Sequence, residues 1–313
     1  MKVAVLDLGT NVFNLLLASF TLSGCEYIKE FKCAARLGAG GLSSGRIAPE
    51  AFGTASDALG KIMDAIKESG GADVILPYAT SAVRDAGNGG EFVETMNGKF
   101  GISIRVIPGE REAEFIFKGI MESIPSCLKE SGENILMLDI GGGSNEFIIS
   151  DGIGILWKRS FPIGMARMRE RFSYQEPIDS NTIEEFTHFC SEVLEPLWEA
   201  VGRYSPKIFV GSSGSFDTFR DLLFNCPRPE PASMEIPAQL LKELDRKLVA
   251  SNSHERLAMP GMSQIRVDYI VLASLFTQLV IERVSPRVIY QSSYSLKEGA
   301  MAEYYASWRK NKE

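Results

Sequence analysis

Between Lys2 and Leu8 apolar residues run almost unbroken, the pattern of a strand covered on both faces. Two further runs follow, Val12–Phe20 and Glu26–Arg36, each after a short break. Pro49 opens a different period: Phe52, Leu59, Ile62, Met63 and Ile66 recur at helical spacing until Gly70-Gly71 stops them. The same reading predicts strands at Asp73–Thr80 and Ser103–Ile107, and helices at Gly90–Phe100 and Glu110–Ile124. The order then restarts with strands at Asn134–Ile140, Asn145–Ser150 and Ile153–Phe161. Helices at about Thr182–Val201 and Ser215–Leu223 flank a strand at Lys207–Val210. Longer helices at Pro237–Ser251 and Arg266–Val284 precede a strand at Arg287–Ser292 and a final helix at Glu298–Lys310. Pro227–Pro231 reads as a linker, and the stripe Tyr269, Ile270, Leu272, Leu275, Leu279 as core or dimer packing.

The restart carries information. Placing Asp7 on Asp139 aligns apolar residues before both aspartates, Gly9 with Gly141, and resumed apolar residues at Leu15 and Phe147. Strand, acidic residue, glycine turn and strand are thus written twice. A duplicated hairpin implies two similar halves facing each other across a cleft; the competing interpretation is two unrelated tight turns, since D-x-G is common.

Such a turn suits phosphate. Glycine permits positive φ angles that aim successive backbone N–H groups into one concave nest, which complements phosphate oxygens without a cationic side chain. The expected cradle is Gly9, Thr10 and Asn11 in one half and Gly141, Gly142, Gly143 and Ser144 in the other, with Thr10 and Ser144 adding hydroxyl donors. Asp7, Asp139 and Glu146 stand at strand ends, where carboxylates can hold Mg²⁺ directly or through its waters. Three adjacent glycines have no role in an ordinary strand end, so the second turn is the stronger signal. A third turn, Gly211, Ser212, Ser213 and Gly214, follows a strand and opens a helix. It fits either an anion site or a plain β-to-α loop with Ser215 as N-cap.

Composition narrows the class. The chain has 313 residues, 45% hydrophobic and 23% charged, enough for two ordinary globular domains. A net charge of −7 argues against broad binding to nucleic acid or membranes but leaves room for a locally positive cleft. Cys25, Cys33, Cys127, Cys190 and Cys226 are odd in number and form no CxxC pair, the pattern of reduced thiols in a cytoplasmic protein. No stretch reads as a signal peptide or a membrane span. His188 and His254 lie in polar helical surroundings and read as surface residues.

Seven motifs occur in order: Asp7-Leu-Gly-Thr-Asn11, Arg36-Leu-Gly-Ala-Gly-Gly-Leu42, Ala79-Thr-Ser-Ala-Val-Arg-Asp-Ala86, Pro108-Gly-Glu-Arg-Glu-Ala-Glu114, Asp139-Ile-Gly-Gly-Gly-Ser-Asn-Glu146, Pro162-Ile-Gly-Met-Ala-Arg167 and Val210-Gly-Ser-Ser-Gly214. Ile265-Arg-Val-Asp268 and Leu296-Lys-Glu-Gly299 follow. Together they resemble the exopolyphosphatase / guanosine pentaphosphate phosphohydrolase (Ppx/GppA) family. The resemblance implies an α/β chain of the actin-like ATPase (ribonuclease H-like) fold, with duplicated domains around an interdomain cleft. Residues 1–114 plus 297–313 would form one domain and 115–296 the other, with hinge closure over a phosphate chain. With no His-Asp pair, the chain is read as a short form without the family's C-terminal HD domain.

The resemblance also assigns roles. It makes Glu112 the general base, Arg84 the main substrate-neutralising cation, with Arg36 and Arg266 as further candidates, and Mg²⁺ the cofactor. The bland reading of Glu110, Glu112 and Glu114 is a solvated acidic helix start. The implied reaction releases orthophosphate from inorganic polyphosphate or guanosine pentaphosphate, in a homodimer that binds no nucleic-acid polymer and no membrane. The alternatives are a non-catalytic polyphosphate or alarmone sensor and an actin-fold small-molecule kinase. Asn14, Arg111, Glu114 and Lys297 depart from the residues common in the family, which bears on substrate preference and turnover.

Overall fold

Both expected hairpins form, and each nucleates a sheet. The computed structural model describes residues 1–41, 44–225 and 232–312, so the Pro227–Pro231 linker and Cys226 lie outside the described residues. The chain forms two units, Met1–Gly119 with Leu296–Glu313, and Ile120–Ser295.

In the first unit β1 (Lys2–Leu8), β2 (Val12–Thr21) and β3 (Gly24–Ala34) form an antiparallel meander. Helix α1 (Pro49–Glu68) leads to β4 (Val74–Ala79), which returns parallel to β1. Helices α2 (Ser81–Arg84) and α3 (Gly89–Phe100), the two-residue β5 (Arg105–Val106) and α4 (Gly109–Ser123) follow, and the sheet order is β3-β2-β1-β4-β5. Alternation along β1 explains its unbroken apolar run. Ala4, Leu6 and Leu8 pack with Leu59 and Ile62 of α1, while Val3 and Val5 lie on the opposite face and are equally buried.

The second unit repeats the scheme. After α5 (Ser126–Lys129), the meander β6 (Ile135–Ile140), β7 (Asn145–Ser150) and β8 (Ile155–Phe161) leads to α6 (Met165–Arg171). Helices α7 (Ser180–Val193) and α8 (Glu195–Tyr204) precede β9 (Ile208–Ser212), which lies parallel to β6 and runs into α9 (Ser213–Phe224). Strand β10 (Ser233–Glu235), helices α10 (Ala238–Val249), α11 (Ser253–Leu257) and α12 (Ile270–Val284) and strand β11 (Val288–Ser292) complete it, giving the order β10-β11-β9-β6-β7-β8. The final helix, α13 (Leu296–Lys310), returns to the first unit and packs on β1 and β2.

Three expectations are corrected. The helix predicted over Thr182–Val201 breaks at Leu194, because Pro196 lacks the N–H that would continue it and starts α8 instead. The predicted Arg266–Val284 helix begins only at Ile270, after turns in which Arg266 N–H bonds Ser263 O and Tyr269 N–H bonds Arg266 O. The Ser103–Ile107 strand shrinks to two exposed residues. The stripe containing Ile270, Leu272 and Leu275 is core of the second unit. Cys25, Cys33, Cys127 and Cys190 are free thiols, and among the described residues no helix is long and apolar enough to cross a membrane.

Gly299 shows why α13 fits. A Cβ there would lie 1.7 Å from the Phe115 carbonyl oxygen and 2.8 Å from the Gly119 nitrogen, so α13 meets the α4 backbone directly. Backbone cannot swing aside as a flexible side chain can. Gly299→Ala is expected to lower stability by about 1–3 kcal/mol, the usual range for an overpacked site. Chemical denaturation checks this; a parental midpoint would show that the helices separate freely.

Candidate active site

In the first unit, Asp7 and Asn14 are register partners, and Asn14 Nδ2 donates to Asp7 Oδ2 at 2.9 Å. The turn beyond them closes tightly, with a Cβ on Gly9 only 3.0 Å from the Val12 carbonyl oxygen. Its carbonyls are occupied by the chain leaving β3. Thr10 O accepts from Gly38 N–H at 3.0 Å, and Asn11 O accepts from Ala35 and Arg36 N–H at 2.9 and 3.0 Å. Among the described residues none accepts from the N–H groups of Thr10 and Asn11. The Thr10 hydroxyl lies 3.2 Å from that of Ser81, both buried.

The second unit repeats this arrangement. Asp139 and Glu146 are register partners across the β6–β7 turn, and Gly141 N–H closes on Ser144 O at 3.1 Å. Gly141 O accepts from Met165 N–H at 2.9 Å, and Gly142 O from Ala166 and Arg167 N–H at 2.9 and 3.2 Å. Gly143 O accepts from Gly164 N–H and Arg167 Nε, each at 3.2 Å. The first N–H groups of α6, which a helix leaves without internal partners, thus grip the turn by its carbonyls. Among the described residues none accepts from the N–H groups of Gly142, Gly143 and Ser144. Those three donors are what the turn offers an anion.

The reason for glycine differs from the expected one. None of Gly9, Gly141, Gly142, Gly143, Gly211 and Gly214 has a left-handed φ. Gly9, Gly141, Gly211 and Gly214 serve close approach instead. A Cβ on Gly141 would lie 2.5 Å from Ser144 O, and one on Gly211 would overlap the Phe216 ring at 2.1 Å. The left-handed residues here are Arg36 (φ 47°) and Ser213 (φ 68°).

In the third turn Ser212, not Ser215, occupies the N-cap position of α9. Ser212 and Ser213 donate to Asp139 Oδ2 at 3.2 and 2.7 Å, and Ser295 donates to the same oxygen. Burial pushes the Asp139 carboxyl above its ordinary range, against the pull of these hydroxyls and the Arg266 charge. Arg266 is lowered by burial and raised by Asp217 and Asp139, and its guanidinium fills the space a side chain at Gly214 would need. Glu146 Oε1 accepts from Ser144 and Ser160, each at 2.7 Å, so the Ser144 proton is directed at a carboxylate.

Of the three glutamates opening α4, Glu110 is exposed, Glu114 half-buried and Glu112 buried. Arg84 Nη1 donates to Glu112 Oε2 at 2.9 Å and to Ile107 O at 3.1 Å, so two predicted site residues meet in an ion pair. Arg36 is exposed, as are His188 and His254. Arg111 bonds Glu114 at 2.6 Å and also pairs with Glu303, while Lys297 pairs with the buried Glu298. Ser160 and Ser295 escaped the sequence reading, and Gly164 figures there only as part of a motif, with no role. Ser295 follows a strand parallel to β9 and so ends near the same sheet edge, the signal that was available.

Among the described residues no group of three or more His, Cys, Asp and Glu side chains is arranged to hold a metal. The donors present are oxygens throughout, and Asp139 keeps all three of its hydroxyl bonds on Oδ2. That set fits Mg²⁺, which takes one or two carboxylates and completes its shell with water and substrate phosphate.

Two mixed sheets that each open with a glycine-turned hairpin and return parallel strands to it define an actin-like ATPase fold. The chain belongs to the Ppx/GppA phosphatase family, which matches residues 20–307, and is an enzyme of the phosphoanhydride hydrolase class. It is similar to an exopolyphosphatase from Cytophaga hutchinsonii, at 34% identity over 98% of both chains with a TM-score of 0.92. An exopolyphosphatase-like protein matches at 25% identity over 97% of both chains with a TM-score of 0.88. The Aquifex aeolicus family member, at 22% identity over 98% of both chains and a TM-score of 0.79, shares the fold.

Gly164 tests the bracing. A Cβ there would lie 2.4 Å from the Gly142 carbonyl carbon and 2.5 Å from that of Gly143. Gly164→Ala must displace the turn and is expected to reduce turnover about 100-fold, the scale of a 1 Å misplacement, in a protein that remains folded. Phosphate release and circular dichroism together check this; full activity would show that turn position is not critical.

Proposed function

We propose that the protein hydrolyses the terminal phosphoanhydride bond of inorganic polyphosphate or guanosine pentaphosphate, with Glu112 as general base and Mg²⁺ as cofactor. The observation that carries the reading is Glu112 itself: alone among the glutamates at the start of α4 it is buried, and it is held by a guanidinium. A solvated helix start would need neither burial nor a partner.

Glu112 accepts a proton from a water, whose oxygen attacks the terminal phosphorus in line while the bridging P–O bond breaks. Orthophosphate leaves, and the shortened chain departs with the bridging oxygen. Arg84 orients Glu112 and offers positive charge beside the reacting phosphoryl group. The N–H groups of the glycine turns hold phosphate oxygens. Asp139, Glu146 and Asp7 are the carboxylates that would hold Mg²⁺, which when bound offsets charge on the phosphate oxygens. The reading that competes is binding without turnover. Its support is the same ion pair, since a carboxylate already bonded to a guanidinium is engaged in holding that pair.

Glu112→Gln keeps the shape and removes the proton acceptor. Phosphate release is expected to fall roughly 10²- to 10⁴-fold with little change in ligand affinity, whereas Glu110→Gln stays near parental. Equal, near-parental rates in both variants would assign the base elsewhere, and a parental protein that binds both ligands without releasing phosphate would favour the binding role.

Asp139→Asn and Glu146→Gln are expected to raise the Mg²⁺ concentration giving half-maximal activity, because each removes a charged oxygen. Titrating Mg²⁺ against phosphate release is the check. Curves that superimpose on the parental one would exclude these two carboxylates from metal binding.

A further inference from the structure

Ser212, Ser213 and Ser295 all donate to one oxygen of Asp139, Oδ2. Ser212 closes β9, Ser213 opens α9, and Ser295 follows β11, the parallel neighbour of β9. Hydroxyls from two strand ends therefore converge on a single atom.

One of the three is held against its backbone preference. Ser213 has φ 68°, in the left-handed region that residues with a Cβ disfavour. Glycine would occupy that conformation without strain, and this turn already uses glycine at Gly211 and Gly214. What serine brings is its hydroxyl, which donates to Asp139 at 2.7 Å and lies 3.3 Å from Ser295 Oγ. A strained residue whose side chain grips a buried carboxylate points to function over local stability.

We propose that Ser213 and Ser295 are positioning residues that fix the Asp139 carboxylate through Oδ2 and so reserve Oδ1 for the divalent cation. This rests on the Mg²⁺ reading above. A carboxylate free to rotate presents either oxygen in a range of directions, and a small cation with strict octahedral demands gains from one fixed oxygen. Hydrogen-bond partners of ligating carboxylates supply that orientation.

The test uses the full chain and Mn²⁺ alone, with free Mn²⁺ followed by electron paramagnetic resonance, so that it does not depend on activity. Ser213→Gly and Ser295→Ala are each expected to weaken Mn²⁺ binding roughly 10- to 100-fold, as loss of such partners does elsewhere. Ser295→Thr, which keeps the hydroxyl, should restore most of it. The thermal midpoint of Ser213→Gly should stay close to the parental value, because relief of backbone strain offsets the lost hydrogen bond to Asp139. Parental Mn²⁺ affinity in both variants overturns the serine proposal and leaves the metal reading standing. Weaker binding with lowered midpoints and no rescue by Ser295→Thr also overturns it, as a purely structural role. A parental protein that binds no Mn²⁺ overturns the metal reading and this proposal together.

Discussion

Each unit's glycine turn depends on where its carbonyl groups are sent. Every peptide unit carries both a donor and an acceptor, so a loop that offers N–H groups to an anion must dispose of its carbonyls elsewhere. Both units solve this in one way. The segment following the third strand of each meander, residues 35–38 in one and 164–167 in the other, donates its N–H groups to the turn. The turn becomes a plate with acceptors bound behind and donors left in front. This accounts for the residues around Gly38 and Gly164, which touch no substrate in the proposed reaction and still carry a recognisable pattern.

Burial of charge follows the same economy. Asp139, Glu146 and Glu112 are each below a tenth exposed, and an unpartnered carboxylate in that setting would be costly. Serine hydroxyls answer the first two and a guanidinium the third. The choice has chemical consequences. A hydroxyl stabilises an anion without bringing a formal counter-charge, whereas a guanidinium brings one. Asp139 and Glu146, two of the three carboxylates assigned to metal, are thus hydrogen-bonded by hydroxyls, with the Arg266 charge also acting on Asp139. The one assigned to proton transfer is bonded by a guanidinium.

Much of the architecture was legible because apolar runs such as Lys2–Leu8 and Ile135–Ile140 are longer than any loop tolerates, and their restart after an aspartate and a glycine is visible by eye. Gly141 was also legible as special, but the cause was misread: composition shows that a side chain is excluded, not whether φ or a neighbouring carbonyl excludes it. The break at Pro196 was written in the chain and overridden by the apolar spacing around it. The Arg84–Glu112 pair spans 28 positions and the Ser295–Asp139 contact 156, and such closures depend on sheet order rather than on any local period.

The first unit is discontinuous: its sheet comes from the start of the chain and α13 from the end. Phe20 of β2 stacks edge-on against Tyr305 at 4.9 Å, and the Tyr305 hydroxyl donates to Thr21 O. On the ribosome, β1 and β2 therefore emerge long before the helix that covers them. The second unit is contiguous and holds all its own strands, so it can complete its core while the first waits with one apolar face of its meander unprotected. The half whose synthesis begins first thus needs a helix made only after the whole of the second unit.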